Sequence, residues 1–282
     1  MAAPIAGKRH FGVPRALVLG AIAGGLLLAC QTPALRFTDR AVALGMEREL
    51  VTGAGFDHVV FRTAKPSQQR PPLHVYLDHD GTPWQGGQPA ADPTPRNDLT
   101  LRLMALDPAP ALYLGRPCYL GFAAQPGCSP DLWTSRRYSQ SVIDSMAAAL
   151  RRLVDGYGRP PVVLLGYSGG GVLALLLAPR VPEVVAVVTV AANLDIDAWA
   201  DHHHWPRLQG SQNPSRVSLS RRVVQRHYAG GHDDVVPPQL VQRAARAGDT
   251  VVVVPDFDHV CCWASLWPQI LADVARALDG GP

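Results

Sequence analysis

Short, β-branched apolar runs alternate along this chain with segments of helical spacing. From about Val51 onward the strand candidates are His58 to Arg62, Leu73 to Leu77, Ala111 to Leu114, Pro161 to Leu165, Val184 to Val190, Val223 to Tyr228 and Thr250 to Val254. Several of these are almost wholly apolar, the pattern of strands covered on both faces. Between them, Asn97 to Ala105, Ser139 to Val154, Gly169 to Leu177, Pro238 to Ala247 and Ala264 to Leu278 have the spacing or composition of helices. The rhythm predicts one α/β domain over residues 51–282, with a mostly parallel sheet and helices on both faces. Pro, Gly and polar residues mark Pro66 to Pro72, Trp84 to Pro95 and Asp195 to Val217 as loops.

The amino terminus follows a different pattern. Lys8 to Arg15 is basic, Ala16 to Leu28 is an apolar run of about a dozen residues, and Ala29 precedes Cys30. A run of this length is short of the roughly 20 residues a permanent membrane helix needs, and it reads as an export signal over residues 1–29. Leu27, Leu28, Ala29 and Cys30 resemble a bacterial lipobox, which implies lipidation of the Cys30 thiol and a membrane held through that anchor. Residues 30–50 then read as a linker. The expected location is a bacterial cell envelope, on the exported side.

This segment also accounts for the net charge. The chain of 282 residues carries 26 Lys and Arg against 23 Asp and Glu, and the excess of three is Lys8, Arg9 and Arg15. The remainder is formally balanced, so no nucleic-acid partner is expected. With 47% hydrophobic and 17% charged residues the composition is that of a folded globular chain.

Export sets an oxidising compartment, in which four cysteines remain beside Cys30. Cys118 and Cys128 share one loop rich in Pro and Gly and are expected to bridge. Cys261 and Cys262 are adjacent; a bridge, two thiols or separate partners all stay open. No Cys-x-x-Cys spacing suggests zinc, and no cofactor is implied.

The chemistry concentrates where Pro161 to Leu165 ends. Gly166, Tyr167, Ser168, Gly169 and Gly170 form a G-x-S-x-G pattern between a strand and a helix, the setting of a nucleophile elbow. The turn is so tight that the residues two before and two after the serine must be small. A serine hydroxyl needs a base, and the base needs a carboxylate to orient it. His259 lies just beyond the strand Thr250 to Val254, and Asp233 lies beyond Val223 to Tyr228, so serine, acid and histidine occur in that order. Asp234, Asp195 and Asp197 are the competing acids. The N–H of Gly169, directly after the serine at a helix amino terminus, is one donor for an oxyanion.

Element order and the serine, acid, histidine sequence resemble the α/β-hydrolase fold over nearly all of the chain beyond the signal. Within it, Gly230 to Pro237 resembles the acid segment after the seventh strand, which aligns Asp233 with the family carboxylate. The segment His79-Asp80-Gly81-Thr82-Pro83-Trp84 stands where such enzymes often have His-Gly-x-Pro. The resemblance implies Thr82 N–H as the second oxyanion donor, with Gly81 next. The departure is Asp80 in place of the histidine, a carboxylate close to an anion site. It is expected to be a turn former with its side chain turned away and bonded to its own loop, and His79 is expected to be inert, with orienting that loop as the alternative. The segments Leu73 to Trp84, Tyr113 to Cys118, Asp195 to Pro214 and His259 to Trp263 are similar to those of a group of bacterial exported hydrolases without settled substrates.

His202, His203 and His204 diverge on any regular backbone, so they read as part of a short cap over about 195–217 rather than as metal ligands. Trp133, Trp263 and Trp267 read as core, and Trp84 as core or pocket wall. A cap this small predicts an open site for short acyl esters. The expected activity is a Ser-His-Asp carboxylesterase on a small ester or acyl substrate. A peptidase or acyltransferase on the same residues, and a non-catalytic envelope lipoprotein using the fold as a binding scaffold, are the alternatives.

Overall fold

Eight strands pair into one sheet: β1 (Met46–Thr52), β2 (Asp57–Thr63), β3 (Leu73–Leu77), β4 (Ala111–Leu114), β5 (Val162–Tyr167), β6 (Val184–Val190), β7 (Val224–Gly230) and β8 (Thr250–Val254), in the order β1-β2-β4-β3-β5-β6-β7-β8. The structure, a computed structural model, describes residues 31–63 and 72–280. The expected signal segment, Cys30 and most of the Pro66 to Pro72 loop lie outside the described residues. β1 with β2 and β2 with β4 run antiparallel, and every other pair is parallel.

Burial explains the apolar runs. Every residue of β5 is buried, and β6 is buried but for the half-buried Val185. Such strands need cover on both faces, which helices supply. They are α1 (Pro33–Ala43), α2 (Leu99–Ala105), α3 (Gln140–Gly156), α4 (Gly169–Leu177), α5 (Ile196–His202), α6 (Pro238–Ala244) and α7 (Trp263–Asp279). α2 packs against α7, and α3 against α4. α4 is apolar and buried all round, so it has no polar stripe. Trp133, Trp263 and Trp267 are core residues, whereas Trp84 is 51% exposed. Among the described residues, no helix is long and apolar enough to cross a membrane.

Residues 33–50 correct the expected linker. α1 buries Ala34, Phe37 and Ala41, and the Phe37 ring sits 6.1 Å from Phe61 and 5.6 Å from Tyr113. β1 pairs with β2 along its full length, from Met46 opposite Thr63 to Thr52 opposite Asp57. β1 is the edge of the sheet, and its charged Glu47, Arg48 and Glu49 hide the strand in the sequence. Glu47 meets Arg62 of β2 at 2.9 Å. The folded unit therefore starts at Pro33 and its sheet at Met46, rather than near Val51.

Register sets the carboxyl ends of five strands level. Leu77 pairs with Gly166, Tyr167 with Val190, Val190 with Tyr228, and Gly230 with Val254. The loops after β3, β5, β7 and β8 consequently open on one edge, where ligands of open α/β sheets bind.

Candidate active site

Ser168 follows the last residue of β5 and precedes the first of α4, with φ +51° and ψ −122°. This is a costly conformation for a residue with a Cβ. It is held by Ser168 N–H donating to Val190 O at 2.9 Å and Gly171 N–H donating to Ser168 O at 2.9 Å. The two glycines flanking the serine are sterically required. A Cβ on Gly166 would lie 2.5 Å from the Gly170 backbone, and one on Gly170 would collide with the Leu77 carbonyl.

Three predicted side chains meet in one hydrogen-bonded line. His259 Nδ1 lies 2.9 Å from Asp233 Oδ2, and His259 Nε2 lies 3.0 Å from Ser168 Oγ. A carboxylate only accepts, so Nδ1 carries the proton and Nε2 is free to accept from the serine. Asp233 is buried, and its second oxygen accepts N–H groups from Val235 at 2.9 Å and Val236 at 2.7 Å. That loop fixes the carboxylate. Asp195 instead caps α5, accepting from Asp197 N, Ala198 N and Asn213 Nδ2. Asp197 pairs with Arg216 at 2.7 Å, and Asp234 is exposed. The competing acids are thus occupied elsewhere or outside the site. The loop carrying His259 is held by Asp258, whose carboxylate accepts from Val260 N and Cys261 N. Cys261 and Cys262 are bonded to each other in that loop, and Cys118 is bonded to Cys128.

The second oxyanion donor differs from expectation. Thr82 N–H donates to Pro93 O at 2.9 Å, and Gly81 N–H donates to His79 Nδ1 at 3.0 Å, so both are committed within the loop. The turn that makes these bonds needs Gly81 at φ +71°, with its Cα facing the Pro93 carbonyl. His79, expected to be inert, accepts this Gly81 N–H at Nδ1, and burial lowers its pKa. Of the donors in this turn, the Asp80 N–H has no partner among the described residues, and Asp80 is one of the residues that line the cavity.

Asp80 also departs from expectation, because its carboxylate is bonded not to its own loop but to two distant segments. Oδ1 accepts from Arg116 Nη2 at 2.7 Å and Tyr138 Oη at 2.5 Å, and Oδ2 accepts from Arg137 Nη1 at 2.8 Å. Burial alone would raise this carboxyl; Arg137, Arg116 and the Tyr138 hydroxyl outweigh it and bring it down to about 2. The group lies against the elbow, since a Cβ on Gly169 would touch Asp80 Oδ1 and Tyr138 Oη. Composition and motif gave no sign of Arg116, Arg137 and Tyr138. Arg116 does lie in the Tyr113 to Cys118 segment singled out by resemblance.

A cavity of about 590 Å³ opens over Ser168 and His259. Trp84 and Arg137 line it on one side, and Trp199, Trp205 and Leu208 of the cap line the other. The cap, expected as loop, contains α5 and is fastened to the acid loop. Trp199 Nε1 and His203 Nε2 lie 2.8 and 2.9 Å from the Val235 carbonyl, and the His203 ring stacks on Trp205 at 4.6 Å.

Strand order, elbow and relay define an α/β-hydrolase fold with a serine, histidine and aspartate in hydrogen-bonded sequence. Residues 109–230, from the loop before β4 to the end of β7, match the family model described as the alpha/beta hydrolase fold. The chain is 35% identical over 172 residues to the lipase LipV of Mycobacterium tuberculosis, covering 57% of this chain and 60% of that protein, so it spans about three fifths of this curated relative's length. Two solved structures share the fold. One is a serine hydrolase without a lid from Xanthomonas campestris (15% identity, TM-score 0.58, covering 84% of this chain and 97% of that one). The other is an esterase from Pyrococcus furiosus (12% identity, TM-score 0.58, covering 90% of this chain and 96% of that one).

Proposed function

We propose that this protein is an exported serine hydrolase that cleaves esters of short acyl groups. The observation that carries the reading is the unbroken line from Asp233 through His259 to Ser168 on a strained elbow. Ser168 Oγ attacks the ester carbonyl carbon while its proton passes to His259 Nε2. The carbonyl oxygen becomes an oxyanion, received by the N–H of Gly169 and, in this reading, that of Asp80. The intermediate collapses as the ester C–O bond breaks, and the leaving alkoxide takes the proton from His259. Water then attacks the acyl-serine and gives a proton to His259, which returns it to Ser168 Oγ as the acyl C–Oγ bond breaks, releasing the acid and free Ser168. Asp233 holds the imidazolium formed in each half. The fastened cap and bounded cavity favour short acyl groups over long chains, and the name of the lipase relative agrees with an ester substrate.

Fluorophosphonate labelling tests the assignment. Wild type is expected to label and Ser168→Ala to remain unlabelled, with ester turnover lost alongside; an unlabelled wild type would favour a binding scaffold instead. A panel of esters, amides and added acyl acceptors separates hydrolysis of esters from peptidase and transferase activity. The proposal includes anchoring at Cys30 in a bacterial envelope, supported by the basic, apolar and cysteine sequence of the amino terminus. It predicts a size shift on globomycin treatment and loss of lipid label in Cys30→Ala.

A further inference from the structure

The Asp80 cluster contains one more cation than Asp80 needs. Arg116 already answers the carboxylate at 2.7 Å, yet Arg137, with its side chain 8% exposed, also pairs with it at 2.8 Å. Two guanidiniums share this one carboxylate at the cavity wall; the buried Asp78 acts on the tyrosines of the same cluster but forms no ion pair with either arginine among the described residues. Sharing leaves guanidinium N–H groups unanswered, and buried donors without partners are costly.

Arg137 has the free donors to take one. A guanidinium offers five N–H groups. Arg137 commits Nε to Thr134 O at 2.6 Å and one Nη1 hydrogen to Asp80, while Nη2 is bonded to nothing among the described residues. Arg116 Nε is also unpartnered, but it is sealed from solvent; Arg137 Nη2 is not, and Arg137 lines the cavity over Ser168. Cavity and reacting serine are close. Asp80 Oδ1 abuts Gly169 while Asp80 Oδ2 holds Arg137, so the guanidinium lies about two hydrogen-bond lengths from the elbow. The other cation on the wall, Arg207, is exposed and already paired with Asp201.

Resting on the serine hydrolase reading, we propose that the preferred substrates are esters bearing a second, ionised carboxylate a few bonds from the scissile carbonyl, with Arg137 selecting them. Monoesters of short dicarboxylic acids have this form. A guanidinium edge binds a carboxylate through short, charge-assisted hydrogen bonds. An uncharged ester of the same length leaves those donors unanswered.

The test compares kcat/KM for p-nitrophenyl monoesters of succinic and glutaric acid with that for p-nitrophenyl butyrate and valerate, after subtracting spontaneous hydrolysis. Wild type is expected to favour the charged member of each pair by about tenfold or more. Arg137→Gln should abolish that preference, and Arg137→Lys should keep part of it. A purely structural Arg137 would lower both members alike and leave their ratio unmoved, which would overturn the proposal. A wild-type ratio at or below one overturns it without any variant, so a misfolded Arg137→Gln does not protect it. Turnover of uncharged esters with a ratio of one leaves the serine hydrolase reading standing. Absence of all turnover together with an unlabelled Ser168 overturns both.

Discussion

Asp80→Asn isolates the charge beneath the elbow. The substitution keeps the shape of the side chain but removes the anion, leaving Arg116 and Arg137 facing each other without their ion-pair partner. Breaking a buried pair in this way typically costs about 3 to 5 kcal/mol. The pKa gives a second measure. A fall from the usual 3.8 to about 2, on a carboxylate whose side chain is 22% exposed, makes the ionised form about 2 to 3 kcal/mol more stabilising than the protonated one. Because the folded pKa is depressed, this contribution is fully present above the unfolded value near 3.8 and is lost as pH falls through about 2. Protonated Asp80 resembles the asparagine, so the gap between wild type and variant narrows by about 1 kcal/mol between pH 7 and pH 3, and by the full 2 to 3 below that. Urea unfolding followed by tryptophan fluorescence measures both quantities, since urea does not screen charge. A gap under about 1 kcal/mol at neutral pH, or one that does not move between pH 7 and pH 3, would refute the reasoning.

Asp233→Asn preserves the loop but offers His259 an amide in place of an anion. It should lower kcat about 10⁴-fold with KM little changed, whereas asparagine at Asp195, Asp197 or Asp234 should leave kcat near wild type; steady-state ester kinetics decides. Removing both members of the Cys118 to Cys128 bridge opens a ten-residue loop and should cost about 2 to 3 kcal/mol, read as a lowered urea midpoint with ester turnover retained.

How far the sequence reaches depends on the range of the interaction. β5 and β6 are legible because a strand buried on both faces writes its environment into its own residues, and Ser168, Asp233 and His259 are legible because each lies in the loop or turn after a strand, β5, β7 and β8 in turn. β1 is illegible by the same logic. As an edge strand it buries only Met46, and Glu47, Arg48 and Glu49 read as a polar segment until β2 is beside them. α5 is too short to show periodicity and is declared mainly by its cap, Asp195. The oxyanion loop exposes a subtler limit. Resemblance by position assigned the second donor to Thr82, but a backbone N–H has no identity that sequence can report, and the turn sends this one to Pro93.

The fate of Asp80 carries that point into the chemistry. Taken alone, a carboxylate beside an oxyanion site is an obstacle, and the sequence reading could only turn it away. Its partners stand 36 and 57 residues further along the chain, in segments with no motif of their own. Only the fold brings Arg116 and Arg137 to it, and together they set two guanidiniums around that carboxylate. A body whose formal charges balance can therefore still present a guanidinium on the cavity wall over its nucleophile. Net charge describes what the whole chain attracts from a distance; the contacts around one buried carboxylate describe what the site accepts.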